Sequence, residues 1–397
     1  MGQRKVIMVN RYSSIIGGIE RYMIDMCTIF KRNGWSVAAI FTEQRDSNDV
    51  NLKLFDEVYC LDNLADIEVK LNKLKDKGYN TVFLHKLNDN NALRSVISLF
   101  DNTIAVIHDH DYYCMRSHKY FPYKRINCKY PFSLIRCSLC TGMVVKVAGK
   151  FPPVKFKNPF LYSTTLSLLK KCRKIIVLSD YMKDNMLKNN FSPDQIEKVY
   201  PVVKILDKPD SMTKKTSSIN LLYAGQLIRG KGVDLLINAV SNLKIDFNLR
   251  IVGRGNDESY INSLIDSFKL RSNVEMRGFS ENIDAEYSWA DIVVVPSRWQ
   301  EPFGLVGVEA FARKCPVIGF DVGGISEWLH DGVNGVLVPE LNLEKMAQAI
   351  LYLSENCELR KKMGEKGFEF VKDKCSEKAF IDRFTKITDH LLGGGNV

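Results

Sequence analysis

Short apolar runs of strand length alternate with helical stretches along most of the chain, and this alternation restricts the fold more than any other feature. The first run, Lys5–Asn10 (KVIMVN), is continuous enough for a strand buried on both faces. A polar loop, Arg11–Ile16, leads to Gly17-Gly18. Ile19, Met23, Met26, Cys27 and Phe30 then fall at helical spacing, Asn33-Gly34 supplies a stop, and Ser36–Thr42 (SVAAIFT) is the next strand. Further strands are expected at Thr81–His85, Thr103–His108 and Lys174–Leu178. Strands separated by helices imply a parallel, doubly wound sheet.

A polar stretch, Leu206–Ser218, reads as an interdomain linker, and the theme then repeats. Strands are expected at Asn220–Ala224, Asn248–Val252, Asn273–Met276, Ile292–Pro296, Pro316–Phe320 and Gly335–Val338. Helices are expected at Val233–Leu243, Glu258–Leu270, Leu305–Arg313 and Leu343–Glu355. The expected fold class is α/β, with two Rossmann-like doubly wound domains facing across a cleft. Residues 1–205 form the first, residues 206–375 the second, and residues 376–397 a helix that crosses back to the first.

Hydrophobic residues make up 45% of the 397 positions, enough for two real cores. No apolar run approaches the roughly 20 residues that span a bilayer, and nothing resembling a signal peptide precedes the first strand. A cytoplasmic protein with at most peripheral membrane contact is expected. Charge is unevenly spread: residues 1–204 carry 32 Lys/Arg against 19 Asp/Glu, and the remainder 24 against 27. Between Tyr112 and Ser179 stand 14 basic residues and no acid, a pattern suited to phosphates, nucleic acid or an anionic membrane. Six of the ten cysteines are scattered as small core residues; Cys114, Cys128, Cys137 and Cys140 are grouped as C-x13-C-x8-C-x2-C. That spacing suits a structural zinc or an iron–sulfur cluster, and equally four reduced thiols.

The densest signal runs from Glu301 to Val338. Glu301 and Glu309 stand eight positions apart, with Gly304 and Gly307 between them. If Phe303-Gly304-Leu305 opens a helix, its backbone N–H groups make an anion site beside Glu301. Glu309, two turns on, can accept hydrogen bonds from paired ribose hydroxyls. Upstream, Arg229 and Lys231 follow a strand and point two cations at its carboxyl end, where open α/β sheets bind ligands. Gly17-Gly18 occupies the corresponding turn of the first half, where backbone can approach a phosphate closely.

Glu301–Glu309, with Pro302-Phe303-Gly304 between, resembles the E-x7-E motif of glycosyltransferase family 4, a family of group 1 glycosyltransferases with the two-domain GT-B architecture. Gly323-Gly324-Ile325-Ser326-Glu327 resembles the GG-x-x-E segment that follows it there. The likeness implies that Glu301 holds the donor sugar, Glu309 the ribose, and the amides of Phe303, Gly304 and Leu305 the diphosphate. Lys231 and Arg229 would contact the phosphates. Many members place Arg directly after the first glycine, where this chain has Gln226. Gly17 and Gly18 match the loop that closes over the diphosphate and acceptor. A histidine at the end of the strand TIAVIH contacts the donor sugar in that family, which points to His108, with His85 as the alternative. Asp109-x-Asp111 mimics the metal-binding pair of another glycosyltransferase architecture, but here cations and backbone amides are expected on the diphosphate.

The resemblance therefore implies retaining transfer of a hexosyl unit from a nucleotide diphosphate sugar, with no cofactor required for catalysis. The acceptor it implies is a saccharide carried on a lipid, in bacterial surface polysaccharide synthesis at the inner face of the membrane. Lys150, Lys155 and Lys157, with Phe151 and Phe156, are the expected contacts to anionic lipid. Two other readings compete. A nicotinamide-dependent oxidoreductase would use Glu43 on a ribose, but no G-x-G-x-x-G follows the first strand. A nucleic-acid-binding protein would use the basic stretch and leave Glu301–Glu327 without a role.

Overall fold

The computed structural model describes residues 3–15, 17–43, 50–121, 126–140, 144–146, 154–205 and 218–393. The chain divides into two compact units, Met1–Val202 with Glu377–Val397, and Val203–Ser376. The linker expected over 206–218 lies, except for Ser218, outside the described residues.

The first unit begins with β1 (Lys5–Tyr12), α1 (Gly18–Arg32), β2 (Ser36–Glu43) and β3 (Glu57–Cys60). It continues through α2 (Ile67–Asp76), β4 (Thr81–Leu84), α3 (Asn90–Leu99) and β5 (Asn102–Ile107). Two small antiparallel pairs follow, β6 (Tyr120–Phe121) with β7 (Ile126–Asn127) and β8 (Val144–Lys146) with β9 (Val154–Phe156). Helix α4 (Leu134–Leu139) lies between these pairs, and α5 (Pro159–Leu169), β10 (Lys174–Val177), α6 (Asp180–Lys188) and β11 (Ile196–Lys198) come after them. Seven strands make one sheet in the order β11-β10-β5-β4-β1-β2-β3, every pairing parallel. The central strands are apolar throughout because both faces are covered: Ile7, Met8, Val9, Val82, Phe83, Ile104 and Val106 are fully buried. β3 and β11 are edge strands, only half buried, and so lack the continuous apolar run that reveals the others in sequence.

The second unit repeats the plan with β12 (Ile219–Ala224), α7 (Val233–Val240), β13 (Phe247–Val252), α8 (Glu258–Ser267) and β14 (Val274–Gly278). Then come α9 (Ile283–Trp289), β15 (Ile292–Val295), α10 (Leu305–Phe311), β16 (Val317–Phe320) and β17 (Gly335–Val338). Helices α11 (Leu343–Glu355) and α12 (Cys357–Lys374) complete it, and α13 (Glu377–Gly393) belongs to the first unit. The sheet order is β14-β13-β12-β15-β16-β17, again all parallel. In each unit the chain winds outward from the first strand, then returns to wind the other way. This leaves a switch point between β1 and β4 and another between β12 and β15. Connections diverge there, and the crevice outside the strand carboxyl ends is where such sheets bind ligands. Two Rossmann-like units are the fold that the alternation of strands and helices implies. Among the described residues no helix is long and apolar enough to cross a membrane.

Helix α12 meets the C-terminal end of α10 through two glycines three residues apart. A Cβ on Gly364 would stand 1.9 Å from the Lys314 carbonyl oxygen, and one on Gly367 would stand 2.3 Å from the Phe311 ring. Alanine normally favours a helix interior over glycine by about 1 kcal/mol. Overpacking against backbone that has no room to yield costs about 1–3 kcal/mol, so the clash outweighs the propensity gain. Gly364→Ala is therefore expected to lower the urea midpoint of the full-length chain; an unchanged or higher midpoint contradicts this packing.

Candidate active site

The loops after β12 and β15 meet at the switch point of the second unit. Gly232 has φ +73°, and a Cβ there would lie 1.9 Å from the Pro296 carbonyl oxygen. At Gly230 a Cβ would fall 1.8 Å from the Trp299 ring. The Gly230 carbonyl accepts from the backbone N–H groups of Arg298 (2.8 Å) and Trp299 (3.1 Å). Arg298 also donates to both carboxylate oxygens of Asp234, at 3.1 and 2.9 Å, tying the second loop to α7. Only glycine permits this approach, and the approach brings Lys231 to Glu301.

Glu301 is 8% exposed. Lys231 Nζ donates to its two carboxylate oxygens at 2.7 and 2.9 Å, and Ser297 Oγ donates to Oε1 at 2.5 Å. A buried carboxylate is tolerable only when so matched. Its backbone is held as firmly. Gly324 N–H donates to the Glu301 carbonyl at 2.7 Å, and a Cβ on Gly323, whose φ is +60°, would stand 2.5 Å from Glu301 N. The Gly323-Gly324 segment thus packs directly on the residue it follows by twenty-two positions. Burial, with the Glu301 charge adding to it, raises the nearby Tyr223 phenol well above its ordinary value, so its hydroxyl stays protonated and donates to the Gln226 carbonyl.

Gly304, at φ +92°, precedes α10, with Phe303 buried behind it. Trp328 Nε1 donates to the Phe303 carbonyl at 2.6 Å, and its ring fills the space where a Cβ of Gly307 would fall, 1.9 Å away. Glu309 is half buried and accepts from the Tyr287 hydroxyl at 2.8 Å. Arg229 is half exposed, donates to Asp257 at 3.1 Å and lies over the Tyr260 ring at 4.1 Å. Ser297, Tyr287 and Trp328 carried no sequence signal, since their partners lie four to twenty-five positions away.

In the first unit, Gly17 and Gly18 are exposed, and a Cβ on either would meet nothing within 4 Å. Gly17 N–H donates to Glu20 at 3.0 Å as α1 opens. His85 and His108 follow β4 and β5 directly and lie side by side, with His85 Nδ1 3.0 Å from His108 Nε2. Burial pushes His85 down to about 3, and His108 well below its ordinary value, so both rings are neutral. Asp109 and Asp111 both accept from Lys86, at 2.8 Å for Asp109, so the two carboxylates share one ammonium within the fold.

Cys114, Cys128, Cys137 and Cys140 line one cavity together with Tyr113 and Lys119. Among the described residues, however, no group of three or more His, Cys, Asp or Glu side chains is placed to hold a metal ion. Burial raises the thiols of Cys137 and Cys140. The zinc expected from the spacing therefore gains no support from the geometry. Of the expected membrane contacts, Lys150 and Phe151 and the Lys155 side chain lie outside the described residues. Lys157 is partly buried and donates to the Met115 carbonyl at 2.6 Å, which makes it a structural residue more than a surface one.

Residues 206–370 match the glycosyl transferases group 1 family. An uncharacterised glycosyltransferase of Methanocaldococcus jannaschii is 35% identical over 232 residues, 57% of this chain and 61% of that protein. The poly(glycerol-phosphate) alpha-glucosyltransferase of Bacillus subtilis is 30% identical over 204 residues, 51% of this chain and 29% of that protein. The chain thus spans less than two thirds of the length of either relative. The structure of HepE from Anabaena, determined with UDP and glucose, superposes with a TM-score of 0.72 at 16% identity, covering 98% of this chain and 99% of that one. This likeness extends to both units and agrees with the GT-B fold class. Residues 206–370, the part of the chain that carries Lys231, Glu301 and Glu309, are thus similar to the group 1 glycosyl transferases.

Proposed function

We propose that the chain transfers a hexosyl unit, with retention of anomeric configuration, from a nucleotide diphosphate sugar to a lipid-linked saccharide acceptor in bacterial surface polysaccharide synthesis. The observation that carries this reading is the buried Glu301 carboxylate, held by Lys231 and Ser297 at the ligand-binding edge of the second sheet. A carboxylate fixed this way can orient sugar hydroxyls, and the ammonium beside it can neutralise charge on a departing diphosphate. The amides of Phe303, Gly304 and Leu305 are assigned to the diphosphate, and Glu309, oriented by Tyr287, to the ribose. Arg229 reaches the phosphates by leaving Asp257, a half-exposed pair worth only about 0–1 kcal/mol. His108 is assigned to the donor sugar. Gly17 and Gly18 are assigned to the diphosphate and acceptor, because among the described residues no atom fills the space where their side chains would be.

Catalysis in this scheme is electrostatic. A phosphate oxygen of the leaving group takes the acceptor proton as the hydroxyl attacks from the same face, so Glu301 positions the sugar and does not attack it. With cations and amides supplying the charge, no metal is needed on the diphosphate. UDP and glucose in HepE, and the glucosyltransferase name of the Bacillus subtilis relative, support a nucleotide sugar donor and a surface-polymer acceptor. Glu301→Gln is expected to lower kcat at saturating donor by about 100-fold, the loss of one charge-assisted contact of about 3 kcal/mol. Lys231→Ala is expected to weaken nucleoside diphosphate binding by calorimetry. Transfer near the unaltered rate in the first variant, or equal affinity in the second, removes these roles.

The lipid part of the reading rests on the acid-free stretch from Tyr112 to Ser179. Besides its basic residues it exposes Ile135 (77%), Leu139 (80%), Phe156 (68%) and Phe160 (66%). Basic residues near an anionic bilayer contribute about 1 kcal/mol each, and exposed apolar side chains add burial in the interface. Vesicle flotation tests this. Binding should require anionic lipid, fall with added salt and weaken in an Ile135→Ser, Leu139→Ser double variant. Equal flotation with neutral vesicles, or none with either kind, refutes membrane docking.

A further inference from the structure

His85 and His108 are 1% and 9% exposed, and their rings stack at 5.2 Å between centroids with 18° between planes. Tyr22 closes the pair from α1, edge-on to His108 at 4.8 Å and to His85 at 6.1 Å. The short contact between His85 Nδ1 and His108 Nε2 can hold a single hydrogen, donated by one ring and accepted by the other. Burial keeps both rings neutral, and the Lys86 ammonium nearby adds to this for His108. Each ring therefore carries one N–H, and fixing one tautomer fixes the other.

The remaining nitrogen of His85 decides which way the bond runs. His85 Nε2 is buried and has no hydrogen-bond partner among the described residues. If it bore the hydrogen, a donor would be orphaned in the interior, which folded proteins avoid more strictly than an unused acceptor. The hydrogen of His85 therefore sits on Nδ1 and is donated to His108 Nε2. His108, its Nε2 now an acceptor, must carry its own hydrogen on Nδ1.

We propose that His85 is a positioning residue that locks His108 in the Nδ1–H tautomer, so that His108 offers the reacting sugar a hydrogen-bond donor. The role toward sugar rests on the assignment of His108 made above; the lock does not. The neighbouring strands β4 and β5 create the arrangement by ending one residue short of each histidine. Tyr22 then keeps the two rings in register.

The test uses the full-length chain labelled with nitrogen-15 histidine. Two-bond proton–nitrogen correlations report which ring nitrogen bears hydrogen, and His85→Phe and His108→Phe assign the signals among the six histidines. Both His85 and His108 should show hydrogen on Nδ1 and a bare Nε2, and in His85→Phe the His108 hydrogen should redistribute toward Nε2. Transfer by His85→Phe should fall roughly tenfold in kcat, the size of one neutral hydrogen bond, with partial recovery in His85→Asn, whose amide can replace the donor. Hydrogen on His108 Nε2 in the unaltered chain overturns the lock, as does an unchanged His108 tautomer in His85→Phe. The first of these needs no variant to fold. If the tautomers are as stated but His108→Ala transfers normally, the sugar assignment of His108 fails and the lock stands.

Discussion

A carboxylate cannot lie buried without partners, and the second unit is arranged around supplying them to Glu301. Lys231 arrives from the loop after β12, Ser297 from the loop after β15, and Gly324 from the segment after β16. Neighbouring glycines remove a side chain from the path of two of them: Gly230 and Gly232 for the first loop, Gly323 for the third. A methyl group at any of these would separate loops that now touch through backbone. The ion pair is thus the visible end of a packing constraint that starts at the switch point of the sheet.

The first unit solves the matching problem without charge. Its two histidines are kept neutral by burial and share one hydrogen bond, and in the ion cluster nearby Lys86 is held between Asp109 and Asp111. A neutral donor can recognise hydroxyl groups without attracting phosphates. The net positive charge of the first 204 residues resides instead in the acid-free stretch.

How much of this could be read from sequence follows from burial. Central parallel strands announce themselves because both faces need apolar residues, and the strands from Lys5, Ser36, Thr81 and Ile292 were all legible within two residues. β3 and β11 escaped because a half-buried edge has no such demand. Glu301 and Lys231 were legible through glycines and spacing, whereas their contact, and Ser297 with it, depends on two loops seventy positions apart meeting in space. Arg229 shows the limit most clearly. Its place in the loop suggested a phosphate, yet Asp257 and Tyr260, unremarkable in sequence, hold its side chain. The four cysteines line one cavity, as their spacing suggests, but among the described residues no three such side chains are placed to hold a metal ion.

The two sheets share one topology, and that sharing explains why both candidate clusters fall at equivalent places. In each, the first strand is central, and the chain reverses direction of winding after the third. The loops that diverge at this reversal border the crevice outside the strand ends, so their side chains can serve something other than the core. Gly17 and Gly18 follow the central strand of one sheet as Lys231 follows that of the other. His85 follows the next strand across the switch point, as Ser297 and Glu301 follow theirs. Differences between the units then reduce to which residues fill these loops: neutral rings and bare backbone in the first, a paired carboxylate and ammonium in the second. The topology provides two equivalent places, and the difference in charge between them decides what each can hold.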